Sequence, residues 1–226
     1  PKMHSAIRRL AELSKRLGSQ STSALWTEIA RRTDEMYAVG ELLFPVFEVT
    51  MNALVAEAGL PKKCLKIGPL KDPIRIYEKS MDGYAERFDD GVPPEACVTD
   101  MLRCLTLCTD GPGMLKLLLL VSKKGGTYFT TADGVTVHLE RIRTKNKCHP
   151  KKLSPTHYRN ALLNLLLRVK GTMMFVELQV HHEEIKHMEA ELDGHRLYEY
   201  FRSFYKGNEK EWNTQLNRQL TFFDEA

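Results

Sequence analysis

No CxxC pair occurs among the five cysteines (Cys64, Cys97, Cys104, Cys108 and Cys148), and five is odd. A disulfide framework is therefore excluded as the organising device, and scattered thiols in a chain of this length read as reduced and cytoplasmic. Long apolar runs are also missing. The longest stretches, such as Leu117 to Val121, fall far short of the roughly 20 residues that a bilayer-crossing helix needs, so no membrane partner is expected. The start, Pro1-Lys2-Met3-His4, leads into an amphipathic stretch rather than an apolar signal core, which argues against a targeting peptide. Gly111-Pro112-Gly113 is no P-loop, because the Lys-Ser/Thr pair that would hold phosphate and metal does not follow. Repeats and low-complexity segments are absent. So is a strong excess of one charge: 33 Lys/Arg against 29 Asp/Glu leave a net +4.

What is present is enough apolar material, 42% of 226 residues, to build a substantial core. The first sixty residues read as a helical segment. Ile7, Leu10, Leu13 and Leu17 recur at helical spacing up to Gly18, a second helix opens near Ser21 to Ser23, and Glu41 to Ala58 forms a third with Pro45 in its first turn. Pro61 to Pro69 reads as a lysine-rich connector. Residues 61–226 then form the second region: a short helix over Ile74 to Arg87, a strand over Met101 to Cys108 and a crossover helix over Met114 to Ser122. Three strands follow, at Val135 to Lys145, Tyr158 to Lys170 and Thr172 to His181. A long helix, Glu183 to Lys206, buries Ile185, Met188, Leu192 and Phe204, and a last one covers Asn208 to Leu220. Helices first, then a small, mostly antiparallel sheet flanked by helices, define the α+β class.

Strand alternation locates the candidate chemistry, because every second residue shares a face. In the strand from Thr172, one face holds Met174, Val176, Leu178 and Val180, and the other holds Met173, Phe175, Glu177, Gln179 and His181. A glutamate and a glutamine inside an apolar strand are costly unless satisfied. The turn Val169-Lys170-Gly171-Thr172 pairs this strand with its predecessor, whose polar face carries Tyr158, Asn160, Asn164 and Arg168. Alternation along Val135 to Lys145 places Arg141, Arg143 and Lys145 on the same face as Val137 and Leu139, and brings Arg143 and Lys145 beside that surface. Six Lys/Arg and one His lie between Arg141 and Lys152, either a solvated face or a surface for phosphates. A carboxylate bordered by cations suits Mg²⁺-assisted phosphoryl chemistry, in which the basic groups clamp phosphate oxygens and the carboxylate orients an attacking hydroxyl. Tyr158 offers a ring on which a base can stack.

In order along the chain stand Pro73-Ile74-Arg75-Ile76-Tyr77-Glu78-Lys79, Asp100-Met101-Leu102-Arg103, His157-Tyr158-Arg159-Asn160, Leu163-Asn164-Leu165, Glu177-Leu178-Gln179, and a helix with His195 and Tyr198-Glu199. Together these resemble the RelA/SpoT-type synthetase domain over roughly Lys71 to Arg202. The resemblance implies transfer of pyrophosphate from ATP to the 3′-hydroxyl of a guanine nucleotide (GDP or GTP), making alarmones. It implies Mg²⁺ on Asp100 and Glu177, Gln179 supporting that carboxylate, and Tyr158 stacked on the acceptor base. Arg75, Lys79, Arg103, Arg143, Lys145, Asn164 and His195 are the implied nucleotide and phosphate contacts. His181 stands where the better-known synthetases carry a basic residue, and His157 where they carry glycine. No hydrolase half is visible, so a degradative activity is not expected. Three alternatives stay open: the same transfer onto RNA or an adenine nucleotide, a degenerate domain that binds nucleotide or RNA without turnover, and a helical interaction protein whose sheet is scaffold.

Overall fold

The computed structural model describes residues 22–84, 93–149, 158–193, 196 and 214. The helix expected over Ile7 to Leu17, the last helix except for Thr214, which is helical, and His195 lie outside the described residues. The chain divides into two compact units, and α1 (Thr22–Glu57) contributes to both. Of the described residues, 22–38, 71–84, 93–98 and 214 belong to the first unit, and the rest to the second.

The two helices expected between Ser21 and Ala58 are one, and Pro45 lies inside it rather than in a first turn. A proline there removes the hydrogen bond to the carbonyl four residues back. Here Glu41 and Pro45 are both exposed, so water can satisfy that carbonyl. Burial then decides for the continuous helix: Ile29, Leu43, Phe47, Met51 and Leu54 are each at most 2% exposed. Because nothing breaks the helix, Glu28–Glu57 is 30 residues long and carries a window of mean hydropathy 1.5, long and apolar enough by length and composition to cross a membrane. The sequence expectation that no stretch reaches that length is corrected accordingly. The buried positions nevertheless fall on one stripe, which is how a core helix is patterned.

In the first unit, α2 (Pro73–Gly83) starts with Pro73 at a position where a missing N–H is harmless. The Asp72 carboxylate caps it by accepting from the backbone N–H groups of Ile74 and Arg75 at 2.8 and 3.3 Å. This helix is shorter than expected and stops at the Tyr84 cap. It packs on a turn of 3₁₀-helix, Pro94–Cys97, whose buried Glu95 is ion-paired with Arg32 at 3.3 Å.

The second unit is built on six strands: β1 (Leu65–Ile67), β2 (Leu102–Cys108), β3 (Thr127–Thr130), β4 (Thr136–Asn146), β5 (Ala161–Val169) and β6 (Thr172–His182). Their order is β1-β2-β6-β5-β4-β3, and only the β2–β6 pair is parallel. Helix α3 (Gly111–Val121) packs on β2, β4 and β6, while α4 (Glu183–Glu191) follows β6. The Gly-Pro-Gly segment is the first turn of α3, capped by Asp110, which accepts from the Gly113 N–H at 2.6 Å. β5 and β6 form the hairpin that the sequence called for: Lys170 and Gly171 have φ of 45° and 80°, the left-handed pair that matches strand twist in a two-residue turn.

Two strands escape the sequence reading. β1 has three residues and shows no periodicity of its own. β3 joins β4 through Thr131-Ala132-Asp133-Gly134, where Gly134 has φ 78° and the Gly134 N–H donates to the Thr131 carbonyl at 2.9 Å. That Asp-Gly pair is a hairpin signal. Of the long helix expected after β6, the described part spans Glu183–Glu191, with Asp193 at φ 50° just beyond and Arg196 helical again. Its expected buried stripe is also corrected. Met188 and Leu192 are 59% and 58% exposed, and the buried position is Glu189, held by Lys186 at 2.9 Å.

Candidate functional site

The two faces of the sheet differ in chemistry. One is the core, with Leu102, Leu163, Leu165, Leu167, Val176 and Val180 all at 0% exposure. The opposite face carries, side by side across four strands, Arg103 on β2, Glu177 on β6, Asn164 on β5 and Arg143 on β4. Neighbouring strands lie about 4.8 Å apart, so Glu177 and Asn164 sit between two arginines in one row roughly 14 Å long. The next row brings together Leu105, Gln179, Leu162 and Lys145, with Lys66 of β1 beyond Leu105.

Strict alternation along β4 would have put Arg143 and Lys145 on the core face with Val137 and Leu139. A bulge between Arg141 and Arg143 adds one residue, Ile142, and turns the rest of the strand over. Thus Val137 and Leu139 are buried, whereas Arg143 and Lys145 face Asn164 and Leu162. The expected neighbourhood holds, for a reason that alternation did not contain.

The row is tied together by hydrogen bonds. Arg143 Nε donates to Asn164 Oδ1 at 3.0 Å, and Asn164 Nδ2 donates to Thr99 Oγ1 at 3.0 Å. The Thr99 bond draws the segment before β2 towards the row, and Asp100 follows directly. Asp100 and Glu177 are each 8% exposed. A second chain leads to the carboxylate from the side. Asn160 Nδ2 donates to the Tyr158 hydroxyl at 3.2 Å, that hydroxyl donates to Gln179 Oε1 at 2.7 Å, and Gln179 Nε2 donates to Glu177 Oε1 at 2.7 Å. Glu177 Oε1 is thereby oriented, and Oε2 has no hydrogen-bond partner among the described residues. Arg103 lies against Gly68: a Cβ at residue 68 would come within 3.1 Å of Arg103 Cγ and 3.3 Å of Nε, so glycine leaves room for the guanidinium stem.

His181 is 1% exposed and stands edge-on to Tyr158, with centroids 5.6 Å apart and an interplanar angle of 78°. Burial pulls its imidazole down from the ordinary 6.5 to about 4; Lys186 nearby pulls the same way, and a backbone hydrogen bond with Arg159 opposes both. The ring is therefore neutral at physiological pH. In the unfolded chain it takes up a proton near 6.5, in the folded one only near 4. Its contribution to stability is complete above about 6.5 and is lost as pH falls towards 4. The urea midpoint should thus drop between about pH 7 and about pH 5, and His181→Asn should flatten that slope. An unchanged slope in the variant would show that other groups set it.

The thiols offer no nucleophile here. Burial pushes Cys104 well above the usual thiol range, with the Glu177 charge adding to it, and pushes Cys108 up to about 11. No group of three His, Cys, Asp or Glu side chains suited to a metal exists among the described residues. Asp100 and Glu177 are two buried carboxylates, the hard oxygen donors that Mg²⁺ takes in ones or twos while substrate phosphates and water complete its shell. Carboxylate oxygens of this kind suit Mg²⁺ rather than the thiolate and imidazole ligands of a closed zinc site.

The structure thus brings together Arg103, Arg143, Asn164, Glu177 and Gln179, joins Tyr158 to them through Gln179, and places Lys145 in the adjoining row. Arg75 and Lys79 stand one turn apart on α2 in the first unit, where Arg75 is ion-paired with Glu78 at 3.1 Å. Sequence reasoning gave no site role to Thr99, Asn160, His181, Lys147 and Lys186, although alternation put Asn160 and His181 on the site-facing surface. Asn160 was visible as a polar position on a site-facing strand. Lys147 belonged to the basic run but nothing marked it from its neighbours, and Lys186 had no signal at all.

No family model matches the sequence, and no curated protein does. Among solved structures, the chain is similar to small alarmone synthetase 1 from Bacillus subtilis, in a structure bound to its product pppGpp. The TM-score is 0.47 at 12% identity, over 86% of this chain and 97% of that one. It is also similar to small alarmone synthetase 2 from the same organism, with a TM-score of 0.43 at 13% identity, over 82% of this chain and 98% of the other.

Proposed function

We propose that this chain is a Mg²⁺-dependent pyrophosphotransferase that moves the β,γ-pyrophosphate of ATP onto the 3′-hydroxyl of a nucleotide, a guanine nucleotide first among acceptors. The observation that carries the reading is the row Arg103–Glu177–Asn164–Arg143, a buried carboxylate set between two arginines on one sheet face. The family resemblance of the motifs, read from the sequence, supplies the reaction class.

In this reading Glu177 accepts the proton of the attacking hydroxyl. The hydroxyl oxygen bonds to the β-phosphorus of ATP, the α–β anhydride bond breaks and AMP departs. Gln179 holds Glu177 in orientation through its amide, and Tyr158, itself held by Asn160, holds Gln179. Asn164 keeps Arg143 in the row, so that Arg143, Arg103 and Lys145 meet phosphate oxygens. A Mg²⁺ ion held by Asp100 and Glu177 would supply charge neutralisation at the transferring phosphates. Arg75 and Lys79 take the phosphate-holding role that the resemblance gives them.

The test is incubation of the purified chain with Mg²⁺ and γ-labelled ATP, with GDP, GTP, ADP, ATP or bulk tRNA in separate tubes. A labelled acceptor together with AMP is the expected result and names the acceptor class. Label on tRNA alone would move the acceptor to RNA. Silence in every tube, from a folded sample that binds nucleotide, would leave a binding domain in place of an enzyme.

A further inference from the structure

The side-chain amide of Asn164 has two ends, and each has a different partner. Arg143 Nε can donate and never accept, so the 3.0 Å contact fixes Asn164 Oδ1 on that side. The amide NH₂ therefore points the other way, where Thr99 Oγ1 accepts from Nδ2 at 3.0 Å. Asn164 is 3% exposed, so an Nδ2 without an acceptor would be costly. Its neighbour across the β5–β6 pairing is Glu177, and residues directly opposite have Cβ atoms about 5 Å apart. Without Thr99, a turned amide would find its acceptor there and leave Arg143.

Thr99 can serve as a fixed acceptor because its segment is seated. Met101, two residues on, is 1% exposed and lies against Gly40 of α1, where a Cβ would come within 2.6 Å of Met101 Sδ. Glycine at residue 40 thus admits the methionine that anchors the entry to β2. At the other end of the relay, Arg143 Nε is taken by Asn164, and the terminal nitrogens of Arg143 make no hydrogen bond among the described residues. A guanidinium held at Nε presents its two terminal NH₂ groups, a pair that grips phosphate through two parallel bonds. We infer that Thr99 is a positioning residue for phosphate binding: by accepting from Asn164, it fixes the amide that aims the Arg143 guanidinium at a polyphosphate. The inference rests on the reading that Arg143 meets the phosphates of ATP.

Titration calorimetry with Mg²⁺ and α,β-methylene-ATP, whose α–β linkage cannot be cleaved, tests it on the full chain. Thr99→Val removes the acceptor at nearly constant shape and should weaken binding about tenfold, the scale of one charge-assisted hydrogen bond. Thr99→Ser keeps the hydroxyl and should stay within about twofold of wild type. Arg143→Met should also lose about tenfold, and adding Thr99→Val to it should cost nothing further, because the threonine acts through that guanidinium. If Thr99→Val melts below the assay temperature, Thr99→Cys, whose sulfur is a weak acceptor, takes its place with the same expected loss. Losses that add in the double variant are what a merely structural threonine would give, and they would overturn the inference. So would wild-type affinity in the valine or cysteine variant, a serine variant as weak as the valine one, or no binding by wild type. The two proposals fail separately. Non-additive Thr99 and Arg143 losses without release of AMP in the transfer assay remove the enzyme reading alone. Transfer with an ATP KM unchanged in Thr99→Val removes this inference alone.

Discussion

Glu177→Gln should melt like the wild type and lose on the order of 10²–10³ in transfer rate, the usual consequence of removing a group that acts on charge developing in a transition state. The exchange is nearly isosteric. A glutamine carbonyl can still accept the 2.7 Å bond from Gln179, so the chain from Asn160 through Tyr158 to residue 177 keeps its anchor. What disappears is the negative charge between Arg103 and Arg143, and with it the proposed proton acceptor and one of the two carboxylates proposed to hold Mg²⁺. Transfer rates at saturating ATP and acceptor, alongside thermal melting, separate the two effects. A variant as active as the wild type would remove Glu177 from the chemistry, and with it the proposed mechanism.

One residue before Asn164, on the other face of β5, Leu163→Ala should leave the site's residues untouched and cost about 2–5 kcal/mol of stability, the range for a buried leucine cut to a methyl group. Leu163 is 0% exposed on an interior strand, with Leu178 of β6 on one side and Thr144 of β4 on the other. A sheet gripped by hydrogen bonds on both edges of β5 cannot collapse into the space, which places the cost towards the upper end of that range. Urea unfolding should show a lower midpoint at unchanged slope. A loss below about 1 kcal/mol would mean that this face repacks freely. The two variants address adjacent strands and opposite faces, one for turnover and the other for folding.

Much of this arrangement was legible in the residues themselves. Alternation in Thr172 to His181 separates Val176, Leu178 and Val180 from Glu177 and Gln179, and the Lys170-Gly171 turn sets the β5–β6 register that puts Asn164 opposite Glu177. Other parts were carried by signals too short or too local to read. Three residues of β1 cannot show a period, and Met188 and Leu192 fit a buried helical stripe by spacing, yet they are exposed while Glu189 is buried against Lys186. Pro45 looked like a helix start, because its cost is local and the compensating burial of Leu43, Phe47 and Met51 is not.

By itself, then, the sequence determined the α+β class, the polar face of the β5–β6 hairpin and the identity of the carboxylate on it. All of these follow from side-chain period and turn chemistry within one stretch of chain. Only the tertiary structure decided which cations stand around that carboxylate and the tyrosine linked to it. Arg103 arrives through a parallel pairing with a strand more than 60 residues away, Arg143 and Lys145 through a bulge at Ile142 that reverses the strand's faces, and Lys147 and Lys186 through their convergence on Tyr158. Register between distant strands and the placement of one extra residue are settled by how the whole sheet packs, and no local pattern encodes them.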